Sequence, residues 1–402
     1  MSKNVLVLLI DALGYNFISK TRTPYLWNFA NQNSTHAITP VLGYSDSQRA
    51  AIFTGKQPQE IGYWLDSQLV GIGESPYKAW KYFQFVDKFP GDFPKRVIKY
   101  GLSKTVGPII ARKSGYKSLP IYNTPIKALN RFQPSLNGTM FEPRIFGENP
   151  TIFDVARESG LQFNVLQSDS FGLRNFFSMP HTAANKLANQ IANLNSDASL
   201  TYIYLHNLDI LTHRYGVEND KFHTLLESVD EATRIILEAY LSRFGKTANI
   251  ILVSDHGMNH TKHFVDLTHL TRLPGFGSEF LIALDSTMVR SWYFNPEKRP
   301  IIRSLIENSQ SGEFITQEEI TNYGINFETN KYFEDIYLLR PGFSLFPNYH
   351  SYLKPYAMHA YAPENDDQTA IGIFSGESLS GYPSTIPMQE VYKVILRALE
   401  LG

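Results

Sequence analysis

Six apolar residues in a row, VLVLLI at positions 5–10, run straight into an acidic one, Asp11. A strand with one wet face alternates apolar and polar side chains. A run that is apolar at every position belongs to a strand covered on both faces, as in a parallel sheet. The pattern returns at 249–253 (NIILV), which ends in Ser254-Asp255-His256-Gly257, and at 201–205 (TYIYL), followed by Asp209. Helical patterns lie between these runs. Thr23-Pro24 opens one that continues through Ala30, with proline at the first helical position. Others cover 48–54 (closed by Gly55), 151–159, 222–244 and 388–401, and further strands are expected at 162–166 and 370–374. Strands alternating with helices predict an α/β fold, a doubly wound, mostly parallel sheet flanked by helices. Such sheets bind ligands beyond the carboxyl ends of their strands. Asp11, Asp209 and Asp255 all lie at or shortly past such ends.

Bulk properties narrow the function. The 402 residues can bury a large core and carry a second subdomain. A formal charge of −1 argues against a nucleic-acid polymer as general partner. Cysteine is absent, so any metal site must be built from His and carboxylates. The 5–10 run is too short for a leader's apolar core or a membrane span, and the expected location is cytoplasmic. Residues 68–146 break the α/β rhythm. They hold 13 Lys and Arg against 4 Asp and Glu, with 13 aromatics. This block reads as an inserted basic, aromatic-rich cap on a core made of 1–67 and 147–402. Within it, 94–113 (PKRVIKYGLSKTVGPIIARK) sets Lys95, Arg96, Lys99, Lys104, Arg112 and Lys113 around an apolar set that includes Ile98, Leu102, Val106 and Ile109. The favoured expectation is that the apolar side packs on the α/β core while the lysines stay solvated, and the alternative is peripheral contact with an anionic membrane.

The chemistry-bearing residues gather at the strand ends. Asp209 and His213 stand four apart, Asp255 and His256 are adjacent, and His359 precedes the 370–374 run. With Asp11 this makes three carboxylates and three imidazoles at one sheet edge. Such a set shares a cleft only with cations present, because like charges repel and burying them is costly. Divalent metal resolves the conflict, and mixed Asp/His ligation suits zinc, with manganese or iron as alternatives. In VLGYSDSQRAAIFTGKQP (41–58), Ser45 and Gln48 form a capping-box pattern. The sharper reading makes a serine here a nucleophile at the positive end of a helix, with Arg49 behind it. His206, His223, His260 and His263 read as surface or supporting residues. Asp230 and Glu231 read as a solvated face, and Glu334 and Asp335 as a turn.

Taken in order, these motifs resemble the alkaline phosphatase superfamily, and most of all its nucleotide pyrophosphatase/phosphodiesterase branch. The matching residues are LLIDALG, TPYLWNFA, the helix ending in Thr-Gly, DILTH, SDHGM and HAY. The resemblance implies a nucleophile ten residues before Gly55, which is Ser45 and not Ser47. It implies two metals, one held by Asp209, His213 and His359, the other by Asp11, Asp255, His256 and the Ser45 oxygen. It implies phosphodiester or phosphoanhydride hydrolysis through a phospho-serine, with zinc or manganese. Three departures stand out. The 45–58 segment also resembles the sulfatase signature; Asp66 occupies the position where the branch places a phosphoryl-binding Asn; Ala360 replaces the Gly of His-Gly-Tyr. Arg49 and Asp66 are therefore the expected substrate-binding positions. Other enzymes of the same fold are the alternatives: a sulfatase, phosphonate hydrolase, phosphomonoesterase or phospho-transferase. The non-enzyme alternative is an inactive module for anionic glycans or lipids. The expected substrate is a small-molecule or lipid- or glycan-linked phosphodiester.

Overall fold

The computed structural model describes residues 4–121, 123–172, 176–195, 197–351 and 353–401. Its centre is a seven-stranded sheet. In chain order the strands are β1 (Val5–Ile10), β2 (Ser34–Thr39), β3 (Phe163–Gln167), β4 (Leu200–Leu205), β5 (Asn249–Val253), β10 (Ala370–Ser375) and β11 (Thr385–Pro387). In space they run β11-β2-β10-β5-β1-β4-β3. β1 lies parallel to both β4 and β5, with Val5 opposite Leu200 on one side and Asn249 on the other. Only β10 is reversed, antiparallel to β5 and to β2.

All six residues of β1 are fully buried, as the unbroken apolar run requires. Val5, Val7 and Leu9 face one layer, with helix α2 (Ser45–Thr54), the helix Ile152–Glu158 and α6 (Glu390–Ala398). Leu6, Leu8 and Ile10 face the other, with α1 (Pro24–Gln32), the helix Pro180–Ile191 and α5 (Asp220–Phe244). Each such side chain contributes about 1.5–3 kcal/mol by burial, so both faces of the central strand exclude polar residues. The expected doubly wound, mostly parallel α/β sheet is the observed one. Asp230 departs from expectation. It is buried, not solvated, and accepts hydrogen bonds from the Tyr25 and Leu26 N–H groups, so α5 caps the start of α1. Glu231 is at the surface, paired with Arg234.

A second sheet, antiparallel, lies in the stretch between β5 and β10. Its strands β6 (Phe280–Leu284), β7 (Met288–Tyr293), β8 (Gly312–Phe314) and β9 (Asp335–Leu339) are ordered β6-β7-β9-β8. Asp335 thus opens a strand and is not a turn residue. It is buried and holds Arg299 at 2.7 Å and Arg303 at 3.0 Å. The basic stretch is spanned by one antiparallel pair, Ser67–Leu69 with Phe132–Pro134, and its last residues, Met140 and Phe146 among them, pack into the main-sheet core. It has its own small core around Tyr77, Trp80, Ile110, Ile121 and Leu129. Ile98 and Leu102 of helix α3 (Asp92–Thr105), with Val106 just past its end, pack against that core and not against the main sheet.

Candidate functional site

The reversed strand explains how the site assembles. Parallel strands deliver their carboxyl ends to one edge of the sheet, and an antiparallel strand delivers its beginning to that same edge. Asp11 follows β1, Asp255 and His256 follow β5, and Asp209 lies on the short helix α4 (Asn207–Tyr215) after β4. His359 lies in the segment that leads into β10. Ala370, the first residue of β10, bridges to Gly14 beyond the end of β1. Gly257 permits the closeness, since a Cβ there would strike the Asp367 carbonyl.

These side chains meet. His256 Nε2 lies 3.3 Å from Asp11 Oδ1, 3.5 Å from Asp255 Oδ2 and 3.0 Å from Ser45 Oγ. Asp209 Oδ1 lies 3.2 Å from His213 Nε2 and 3.9 Å from His359 Nε2. The His256 and His359 rings stack at 3.6 Å, 7° from parallel, which joins the two groups. Ligand atoms of Asp11, Asp255 and His256 fall within 4.8 Å of one another, as do those of Asp209, His256 and His359. His213 is held by its Nδ1 against the Ala357 carbonyl at 2.7 Å, which leaves Nε2 facing Asp209.

The donors fit cations. Asp11 Oδ1, Asp209 Oδ1, Asp255 Oδ2 and His359 Nδ1 are buried and make no hydrogen bond. Buried oxygens without hydrogen-bond donors are costly unless something positive satisfies them. The electrostatics agree. Burial and the neighbouring Asp11 charge push the Asp255 carboxyl up to about 8. His256 would be lowered by burial, yet Asp255 and Asp11 raise it to about 10. Burial also works against the Asp11 charge, but His256 and the Tyr204 hydroxyl hold Asp11 down at about 2. Without metal, protons supply the positive charge that three clustered carboxylates demand.

Ser45 is the first residue of α2, but it is not the helix cap. That place belongs to Tyr44, with no side-chain cap, and Gln48 turns inward to the Val41 backbone at 2.8 Å. The capping-box pattern therefore fails, and the Ser45 hydroxyl points to His256 instead. Ser47 is buried, and its hydroxyl donates to the Trp64 carbonyl. Arg49 pairs with Asp46 and stacks 4.8 Å over the Tyr204 ring. Asp66 is exposed at the surface, yet the protein packed around it and the Asp46 carboxylate raise it to about 7, with a hydrogen bond between the two acids. Asp46, working against burial, is held low by Arg49.

Sequence reasoning missed several supporting groups. Tyr204 donates its hydroxyl to Asp11 Oδ2. Its signal was legible: Tyr202 and Tyr204 are polar aromatics in a buried strand whose other residues, Thr201 apart, are apolar. Asp255 Oδ1 accepts from the Ala12 and His256 N–H groups, both at 3.1 Å. Ala12 and Ala360, next to two candidate ligands, hold left-handed φ values of 64° and 65°. Such a conformation costs a non-glycine residue roughly 1–2 kcal/mol, so the fold stores strain beside Asp11 and His359. His206 is buried against Ser168 Oγ at 2.7 Å, away from the cluster, and His260 lies 3.8 Å from Glu218.

The model of the family described as type I phosphodiesterase/nucleotide pyrophosphatase matches residues 124–324. That span contains Asp209, His213, Asp255 and His256, while Asp11, Ser45 and His359 lie outside it. No curated protein sequence matches the chain. Among solved structures, murine ectonucleotide pyrophosphatase/phosphodiesterase 5, as an inactive variant in complex with AMP, aligns at a TM-score of 0.69 and 13% identity. The alignment covers 100% of this chain and 96% of that one. A second structure of the murine protein aligns at 0.68, and its human counterpart at 0.66, both at 13% identity with the same coverage. At that identity the likeness speaks for the shared fold; the family match speaks for kinship. The chain belongs to the type I phosphodiesterase/nucleotide pyrophosphatase family, a branch of the alkaline phosphatase superfamily.

Proposed function

We propose that this protein is a metal-dependent phosphodiesterase/pyrophosphatase that cleaves small phosphodiesters or phosphoanhydrides through a phospho-serine. The observation that carries the reading is the convergence of Ser45 with three carboxylates and three imidazoles, four of whose buried polar atoms lack hydrogen bonds. Asp209, His213 and His359 would hold one divalent ion, and Asp11, Asp255, His256 and Ser45 Oγ a second. The donor set suits zinc, with manganese as the alternative. Such ions supply charge for the phosphoryl oxygens and lower the pKa of hydroxyl groups beside them.

The chain's own residues do the rest. Ser45 Oγ attacks phosphorus in line with the departing oxygen; the O–P bond to Ser45 forms as the ester or anhydride bond breaks. The departing oxygen takes a proton as it leaves. Water then attacks the phospho-serine, restoring the Ser45 hydroxyl and releasing the phosphoryl group as a monoester or phosphate. The first N–H groups of α2 extend from the helix end at Ser45 and favour the anion there. Tyr204 fixes Asp11, and the Ala357 carbonyl fixes His213. Arg49 shares its charge with Asp46, so little cationic charge is left for the extra negative charge of a monoester, and diesters are the expected substrates. A nucleotide-like diester suits the family, and AMP occupies the murine neighbour. A lipid- or glycan-linked diester is the other substrate class this cleft would serve.

The test is Ser45→Ala, assayed on bis-p-nitrophenyl phosphate, p-nitrophenyl phosphate and p-nitrophenyl sulfate with added zinc or manganese. The expected result is a folded, metal-loaded protein slowed by roughly a thousandfold or more, with the diester the best wild-type substrate. Wild-type turnover in Ser45→Ala would remove the nucleophile. A monoester or sulfate preference in kcat/KM would replace the diesterase reading.

A further inference from the structure

Exposed large apolar side chains concentrate in the 68–146 block. Among the described residues, eight of the fourteen large apolar side chains that are exposed belong to it: Ile72, Tyr82, Phe85, Phe89, Phe93, Val97, Tyr100 and Ile109. Helix α3 is apolar on two opposite sides. Ile98, Leu102 and Val106 face inward to the block's own core. Phe93, Val97 and Tyr100, spaced by four and three residues, form a second stripe, exposed by 77%, 54% and 48%. The inward face packs on the block's own core, and the outer stripe leaves Phe93 and Val97 largely open to solvent. Just before α3, Phe85 and Phe89 lie with ring centroids 6.4 Å apart, 54% and 41% exposed, and carry the apolar surface back toward Tyr82.

The charge around this surface says what it meets. Lys78, Lys81, Lys88, Lys104, Arg112 and Lys113 are all exposed. Lys81 and Lys104 lie over the rings of Tyr82 and Tyr100, at 5.2 and 5.6 Å. Among the described side chains from Lys78 to Lys113 the one carboxylate, Asp87, is engaged by buried Lys99 at 3.1 Å. On the inner flank of α3, Lys95 and Arg96 line a cavity of about 170 Å³ with Lys127 and Arg272. Aromatic rings among lysines on a helix lying flat are the composition of an interfacial membrane segment. No helix among the described residues is long and apolar enough to cross a membrane.

We propose that the outer face of this block, Tyr82 through Tyr100, is a docking surface for an anionic lipid bilayer. The rings enter the headgroup layer and the lysines pair with lipid phosphates and carboxylates. The proposal does not depend on the activity assigned to the Ser45 site. Each cation near such a surface contributes on the order of 1 kcal/mol, and salt screens it.

The full-length protein is sedimented with vesicles of phosphatidylcholine alone and with 30% phosphatidylserine (roughly the anionic level of a cytoplasmic leaflet), across a salt series. Expected is binding to the anionic vesicles, falling roughly tenfold or more as salt rises. Phe93→Ser with Val97→Ser and Tyr100→Ser removes it; these side chains are exposed, so the melting temperature and diester turnover hold. Lys81→Glu with Lys88→Glu and Lys104→Glu also weakens it. Absence of binding at low salt overturns the proposal, as does equal binding to neutral vesicles. So does a wild-type dimer in sedimentation velocity that the triple serine variant dissolves, since that would make this face a contact between two copies.

Discussion

Asp66 stands where the resemblance places an Asn. An amide there would be neutral at every pH; a carboxyl is neutral only while protonated. Its value of about 7 lies above the usual carboxylate range, so the folded state holds that proton more tightly than the unfolded chain does. The sign follows: stability falls as pH rises from about 4 through 7, and the loss is complete above 7. In Asp66→Asn this loss is absent, so its melting temperature should gain on wild type between pH 5 and pH 8. An ionised Asp66 also repels a phosphoryl group, so wild-type kcat/KM for a diester should fall above pH 7 relative to the variant. Parallel profiles for the two proteins would show that Asp66 does not titrate near the substrate. Ser47 makes a contrast with Ser45 two residues away. It is bonded to the Trp64 carbonyl, and Ser47→Ala should cost about 1 kcal/mol of stability while turnover persists.

At the scale of elements, the antiparallel sheet encloses a fully buried ion pair. Asp285, in the turn between β6 and β7, binds Arg290 Nε at 2.6 Å, and both are about 1% exposed. His350 adds a contact to Asp285 at 3.0 Å. Removing one partner leaves a buried charge alone, so Asp285→Ala should destabilise the protein by about 3–5 kcal/mol in denaturant unfolding. A cost under 1 kcal/mol would mean that water or His350 compensates Arg290. The pair also explains why this sheet was illegible in the sequence. β7, MVRSWY, is buried at all six positions, including Arg290 and Ser291. Its polar residues break the period-two and the all-apolar patterns alike, because their partners come from elsewhere in the chain. The main sheet was legible for the opposite reason: β1 and β5 bury apolar residues on both faces and need no distant partner to declare themselves. Six candidate ligands could be picked out because each follows or precedes such a strand. Asp230 could not, since the N–H groups it caps lie about two hundred positions away.

Over the whole molecule, the candidate ligands come from segments near residues 11, 45, 209, 255 and 359, so ions bound there would tie distant parts together. A ligand that binds only the folded state stabilises it by about 2.7 kcal/mol at a hundredfold excess over its Kd. Chelation should therefore lower the melting temperature of both wild type and Ser45→Ala, and zinc should restore it. A melting temperature indifferent to chelator would separate these side chains from metal. The reversed strand β10 matters also for how the chain is made. It is an interior strand, seated between β2 and β5, yet it follows β5 in the chain by more than a hundred residues. A ribosome needs roughly ten seconds to cover that distance. During that interval β5 and β2 both present unpaired backbone edges, the kind of surface that recruits other strands. The last-made part of the site closes the sheet, and the interval before it emerges is when a nascent chain most needs a chaperone's cover.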